Sequence, residues 1–235
     1  MVRFIFLFVV FIHGFIHLFG FAKAFNLATV QQLSGKTLLP LSRTWLRFAG
    51  LVWGITFLLF LSAGILFLLK NETWWNYGLP AVILSQLLIL LYWKDAKAGT
   101  LVNCMILPAI VVSMAELNFN TVTKNETLEL LKSQVTQPAE VISEESIQQL
   151  PFPVRNWLSH SGMIGKNRIS NVRLQQNGFM LTKPGGKWTQ AEANQYFTVD
   201  RPGFIWKVKM RMPPCIEIDG RDKLILGKGS MIIKV

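Results

Sequence analysis

The sequence predicts a membrane α plus β protein: a four-helix transmembrane bundle followed by an antiparallel β-sheet domain, possibly a half-barrel and truncated at its C-terminus. Three observations carry this expectation. Of 235 residues, 51% are apolar and 16% charged, which excludes a disordered chain and is too greasy for an ordinary soluble enzyme. The charge is divided unevenly, with 11 charged side chains in residues 1–117 and 26 in 118–235. The hydrophobic pattern also changes period, from long uncharged runs to strict alternation.

Four uncharged runs stand in the first half: Phe4 to Ala22 (19 residues), Phe48 to Leu69 (22), Trp74 to Trp93 (20) and Ala98 to Ala115 (18). At 1.5 Å per helical residue each reaches across a hydrocarbon core of ~30 Å. A lipid-exposed strand would leave its backbone groups unpaired, and no run alternates as a barrel strand does, so helices are expected. Lys23, Lys36, Arg43, Arg47, Lys94 and Lys97 collect on one side, against Arg3 and Lys70 on the other. The positive-inside rule then places the N-terminus outside, loops one and three in the cytoplasm, and everything after Leu117 outside. Trp45, Trp74, Trp75, Tyr77, Tyr92 and Trp93 fall at the span ends, where amphipathic rings collect. The rival is a cleaved signal peptide ending near Ala22-Lys23-Ala24. Its apolar run would be longer than an ordinary h-region, and cleavage would leave five loop cations outside.

Polar groups inside a bilayer are functional candidates by default. Here they are His13, His17, Ser85, Gln86 and Asn103. Counting from the span ends puts His17, Gln86 and Asn103 ~8 to 10 Å below the cytoplasmic surface, with Trp53 at the same level. One reading of His17, Trp53, Gln86 and Asn103 is a cavity for a polar headgroup, a quinone-like ring or a proton. The other is interhelical hydrogen bonding of about 1 kcal/mol per pair. His13 and His17 share a helical face at i, i+4 spacing, but two ligands do not make a metal or haem site, so no cofactor is expected. Pro80 lies in the first turns of its span, whereas Pro108 in mid-span predicts a kink. Cys104 and Cys215 cannot form a disulfide framework.

Residues 1–117 are thus expected to form the transmembrane domain and 118–142 a polar stalk with a helical stub around Leu128, Leu130, Leu131 and Val135. Residues 143–235 would form an extracytoplasmic domain. Two glycosylation-type triplets, at Asn71 and Asn125, are common by chance. From Ser143 two short helices are predicted, the second starting at Pro153 with Val154, Trp157 and Leu158 on one face and ending near Gly162. Phe204, Trp206, Val208, Met210 and Met212 alternate with Ile205, Lys207, Lys209 and Arg211, the pattern of a half-buried antiparallel strand. Weaker runs occupy Ile169 to Leu181, Trp188 to Val199, Cys215 to Leu226 and Ser230 to Val235. Turns are assigned to Pro184-Gly185-Gly186, Arg201-Pro202-Gly203 and Asp219-Gly220-Arg221. Residues 150–235 carry 14 cations against 5 acids. Nucleic acid would suit that sign, but no helix-turn-helix, zinc or aromatic RNP signature accompanies it, so no nucleic-acid partner is expected. Ser159-His160-Ser161 lacks a carboxylate to orient the histidine, and Gly227-Lys228-Gly229-Ser230 lacks the rest of a phosphate loop; both read as turn chemistry.

Leu150-Pro151-Phe152-Pro153-Val154-Arg155, Trp157-Leu158, Ser161-Gly162, Ile164-Gly165-Lys166, Val172-Arg173-Leu174, Gln195-Tyr196-Phe197-Thr198-Val199, Pro202-Gly203-Phe204-Ile205-Trp206 and Gly227-Lys228-Gly229-Ser230-Met231 resemble an uncharacterised bacterial family, a domain of unknown function. Upstream, the segments His17 to Lys23 and Trp93 to Thr100 resemble the membrane portion of some members. Pro202-Gly203-Phe204-Ile205-Trp206 and the Asp219-Gly220 pair are also similar to the Pro-x-x-Phe-x-Trp strand and Asp-Gly hairpin of the periplasmic lipoprotein-carrier fold, with one residue fewer between Pro202 and Phe204. That resemblance implies that Phe204, Trp206, Val208 and Met210 line an acyl-chain pocket, although a plain core strand looks the same. Family members continue further, and an apolar edge strand ending at Val235 would lack a partner, so truncation is expected.

The function these features imply is noncatalytic: a bacterial inner-membrane protein presenting an outer β-domain that binds a lipid or lipidated ligand. The competing expectations are a membrane enzyme or redox subunit using the intramembrane polar layer, and a structural or sensory anchor.

Overall fold

The computed structural model describes residues 2–30, 33–132, 140–212 and 216–234, with Ile216 described in its backbone only. Cys215 and Val235 lie outside them. The chain divides into two compact units, Met1–Asn120 and Thr121–Val235.

In the first unit α1 (Val2–Ala24), α2 (Arg43–Leu68), α3 (Trp75–Leu91), the single turn α4 (Trp93–Ala96) and the start of α5 (Gly99–Lys132) follow one another. Three of them, α1, α2 and α5, are long and apolar enough to cross a membrane. The expected fourth span is shorter than the uncharged run that announced it. Trp74 and Tyr92 stand outside α3, and Tyr92 at φ −106°, ψ 38° breaks the run into α3 and α4. The 17 residues of α3 rise ~25 Å. Helix α5 runs without a break through Pro108 and on into polar sequence as far as Lys132.

The helices pack through small residues, as association in lipid requires. The core joins Val10 of α1, Phe60 and Ala63 of α2, Ala81 and Val82 of α3, and Ile106 and Ile110 of α5. At Gly20 a Cβ would stand 2.6 Å from Trp53 Cγ, so α1 and α2 approach where only glycine fits. Large apolar side chains such as Phe4, Phe8, Leu58 and Leu101 point outward, as a lipid-facing surface does. Arg3 caps the other end of α2, donating to the Phe67 and Leu68 carbonyls at 2.7 and 3.0 Å, where the helix dipole favours a cation.

The second unit holds the end of α5, α6 (Phe152–His160) and a five-stranded antiparallel sheet in the order β1-β2-β3-β4-β5: β1 (Asn171–Met180), β2 (Thr189–Thr198), β3 (Gly203–Met212), β4 (Ile216–Ile225) and β5 (Lys228–Lys234). It is an open meander. Pro153 occupies the first turn of α6, where its missing N–H costs nothing, and Trp157 on that helix is 65% exposed. The predicted turn at Asp219-Gly220-Arg221 is instead the middle of β4. Gly220 faces Val208 across the ladder, and a Cβ on it would lie 3.0 Å from the Val208 methyl. A glycine inside a strand can mark such close approach rather than a turn. The β4–β5 turn is made by Leu226 and Gly227, both at positive φ, as a two-residue hairpin loop requires.

Candidate functional site

Three places in the two units gather chemistry, and each is built from residues far apart in sequence.

The first is the polar layer of the helical unit. His13 Nε2 lies 3.0 Å from Asn103 Oδ1 and 3.2 Å from Ser85 Oγ. Asn103 Nδ2 donates to Ser85 Oγ at 3.0 Å and to Gln86 Oε1 at 3.1 Å, and Gln86 Nε2 donates to Thr100 Oγ1 at 3.2 Å. In the Nε2–H tautomer His13 donates to the asparagine, and the chain of bonds links α1, α3 and α5. Gln86 and Asn103 therefore meet as the depth count anticipates. Their histidine is His13 rather than His17. One helical turn on, His17 points Nδ1 back to the His13 carbonyl at 2.7 Å and packs its ring on Trp53 and Phe60, with centroids 5.0 and 5.4 Å apart. It is 1% exposed, and its Nε2 meets no partner among the described residues. No carboxylate enters these hydrogen bonds, and the described residues include no group of three His, Cys, Asp or Glu able to hold a metal ion.

The second place lies at the end of the bundle that carries loops 25–42 and 92–98. A cavity of about 280 Å³ opens there between α1 and the start of α2, lined by Gly20, Lys23, Arg43, Arg47, Trp53 and Tyr92 among others. Asp95 fastens the surrounding loops. Its carboxylate accepts from Ser34 Oγ at 2.8 and 3.0 Å and from the Gly35 amide at 3.0 Å. Partial desolvation pushes the Asp95 carboxyl up, but these donors and the charge of Lys23 prevail and hold it below its ordinary value. In the sequence these cations served only to orient the chain, because 20 and 24 positions separate Lys23 from the two arginines.

The third place is one face of the sheet. The register aligns Phe197, Gln195, Ala193 and Ala191 of β2 with Phe204, Trp206, Val208 and Met210 of β3, and β3 in turn with Leu224, Asp222, Gly220 and Ile218 of β4. All four predicted β3 residues thus share a face. Val208 and Met210 are buried with Ala191 and Ala193, and what packs on this cluster is Met180, Trp206 and Ile218, side chains of the same face. The centre of this face is therefore packed over by side chains at its own margins. Trp206 Nε1 reaches over β2 to donate to Gln176 Oε1 of β1 at 3.0 Å, laying the indole across the small residues. Phe204 and Trp206 are only half-buried, and at the β5 margin Met231 and Ile233 are each 63% exposed.

The opposite face departs from the alternation reading. Ile205, grouped with the lysines of the wet face, is 1% exposed, more buried than Val208 or Met210 on the other face. Leu130 near the end of α5 lies over Gly203 on this side, where a Cβ would meet its methyl at 2.8 Å. Glu126, one turn earlier, accepts from Arg221 Nη2 at 3.1 Å and from Lys223 Nζ at 2.6 Å. This ion cluster went unread because Glu126 sits in sequence that looks like a polar stalk. Ser159, His160 and Ser161 form the last turn of α6 and its cap, where Ser161 Oγ donates to the Leu158 carbonyl.

The fold is that of a helical unit, three of whose helices are long and apolar enough to cross a membrane, followed by an open antiparallel sheet. Residues 140–235, less than half of the chain, match the model of a family of unknown function (DUF6544), in agreement with the motifs from Leu150 onward. Comparison with curated proteins and with solved structures returns no match.

Proposed function

We propose that the chain is a multi-pass bacterial inner-membrane protein whose sheet unit, on the extracytoplasmic side, cradles an acyl chain or a lipidated ligand without catalysing a reaction. The observation that carries this reading is one face of β2 to β5, apolar at its centre and still open at Phe204, Trp206, Met231 and Ile233. Small residues at Ala191, Ala193 and Gly220 keep the floor low, and a fixed Trp206 supplies a flat wall. In this reading α3 is a fourth span, its reach extended by Trp74 and Trp93 at the two interfaces. Orientation rests on the positive-inside rule, and the bonds from Ser34 and Gly35 to Asp95 support its premise that loops one and three lie at the same end.

The test uses the full chain in membranes fed a photoreactive fatty acid. Crosslinked peptides covering 204–210 are expected, and Ala193→Trp, which fills the low centre of that face, should abolish them. Crosslinking confined to the helices, or unchanged in A193W, would overturn the reading. Orientation is tested with a single cysteine at Ser146 in a C104S/C215S background. Labelling of intact cells is expected, and labelling only after permeabilisation refutes the topology.

One observation favours a second reading, a membrane enzyme or redox subunit. His17 keeps a buried Nε2 with no partner among the described residues, beside Trp53 and one turn from the layer of Gln86 and Asn103. A chromophore retained by the purified helical unit and lost in His17→Phe would move this reading to first place.

A further inference from the structure

We infer that the cavity between α1 and the start of α2 is a binding site for a phosphate group, with Lys23, Arg43 and Arg47 as its cationic rim and Trp53 and Tyr92 as the wall for an attached apolar or glycerol moiety. The site is lined by residues of the helical unit alone and stands or falls apart from the sheet face.

Charge is the first argument. Three cations line the cavity, and no acidic residue is among the described residues that line it. Asp95 lies outside the lining, its oxygens taken up by Ser34 and Gly35, and of the three rim cations it is Lys23 whose charge it shares, so Arg43 and Arg47 carry most of the rim. Arg43 and Arg47 stand at i and i+4, on one face of α2, and both line the same opening. Guanidinium forks match phosphate oxygens two at a time, which single ammonium groups do not.

Placement is the second. Arg43 is the first residue of α2, a 26-residue helix capped by Ser42, whose hydroxyl accepts from the Trp45 amide. The positive end of the helix dipole therefore adds to the rim. Gly35 at φ +74° leaves space that the Lys23 chain crosses, since a Cβ there would stand 3.3 Å from its Cε.

Shape is the third. Below the cations the walls turn aromatic, and the close contact of Gly20 with Trp53 holds the indole as a fixed floor. A volume of about 280 Å³ suits a phosphoglycerol-sized group. The polar rim above an apolar floor is the profile of an amphiphile with its charge at the membrane surface. The same phosphate chemistry is available from an anionic lipid headgroup or from free phosphate, and the test separates the two.

The full chain is reconstituted in nanodiscs of phosphatidylcholine with a minor fraction of phosphatidylglycerol, extracted into detergent and weighed intact by native mass spectrometry. One retained phosphatidylglycerol per chain is expected. Arg43→Gln/Arg47→Gln should reduce its occupancy about tenfold, whereas Lys94→Gln/Lys97→Gln, which removes two cations from the same end outside the cavity, should leave it unchanged. Leu46→Trp narrows the cavity without touching its charge and should expel the lipid too, so the proposal does not depend on folding of the arginine variant. Inorganic phosphate is titrated in parallel by calorimetry. Phosphate binding that needs Arg43 and Arg47, with no lipid retained, assigns the site to free phosphate. Equal loss of lipid in the two double variants makes the effect one of bulk surface charge and overturns the proposal, as does the absence of both lipid and phosphate binding. Loss of the lipid only in Ala193→Trp would place it on the sheet instead and likewise overturns it.

Discussion

The Glu126 carboxylate and the Arg221 guanidinium face each other with Nε–Oε2 at 2.9 Å and an Arg221 terminal nitrogen 3.1 Å from Oε1, although 95 positions separate them. Arg221 is 3% exposed and also donates to the Ser230 carbonyl and hydroxyl, while Lys223 joins Glu126 at 2.6 Å. A charge so buried cannot lose its partner cheaply. Glu126→Gln is expected to destabilise the sheet unit by about 3–5 kcal/mol, read as earlier hydrogen exchange at β4 and β5. Glu126→Leu combined with Arg221→Met should cost less than E126Q alone, because no orphan charge is left. A double variant as damaged as the single one would show that packing, rather than charge pairing, fastens α5 to β4.

The contact of Gly20 with Trp53 makes a steric prediction. Gly20→Ala places a methyl group within 2.6 to 2.7 Å of indole carbons and should destabilise the bundle by about 1–3 kcal/mol in a detergent melt. Gly178→Ala on β1 meets nothing within 4 Å and should stay within about 0.5 kcal/mol of the native chain. Equal melting temperatures for the two variants would refute the close approach of α1 and α2.

Asn103 is the hub of the polar layer, bonded to His13, Ser85 and Gln86. Asn103→Ala should cost about 1–3 kcal/mol, the sum expected for several intramembrane bonds, whereas Thr100→Ala, which removes only the last link, should cost about 0.6 kcal/mol. Resistance to unfolding by sodium dodecyl sulfate measures both.

Asp95 sets a pH dependence. Its carboxyl titrates below the ordinary value in the folded chain, so its contribution is fully present above that value and is lost as the pH falls through the depressed one. The Gly35 amide should therefore exchange faster only in acid, below about pH 4. Asp95→Asn should exchange fast at every pH. Protection of Gly35 that persists in D95N would show that the loop is held by something other than this carboxylate.

The parts of the fold that were legible in the sequence are those whose signal is local. The alternation from Phe204 to Met212 is β3, and the apolar runs around Leu7, Phe60 and Ile106 are the helices α1, α2 and α5. What escaped depends on contacts between distant segments. Ile205 looked wet because its neighbours on that face are Lys207 and Lys209, yet the end of α5 lies over that side of the sheet at Gly203. Asp219-Gly220 looked like a turn because turn chemistry and close strand approach both call for glycine. The depth count could place Gln86 and Asn103 at one level, but which of two histidines on one helical face completes the bond depends on side-chain reach. The basic cavity was invisible because its three cations come from two helices joined by a long loop.

The bond between His13 and Asn103 spans 90 positions, and that separation bears on how the chain is made. The imidazole leaves the ribosome long before its amide partner exists. Until α5 is in place, α1 carries an imidazole that an apolar surrounding receives poorly, with the ring of Phe60 on α2 as an early shelter. Completion of the helical unit thus waits on α5, and a nascent chain halted ahead of Asn103 would leave that imidazole without its amide partner, a natural mark for quality control.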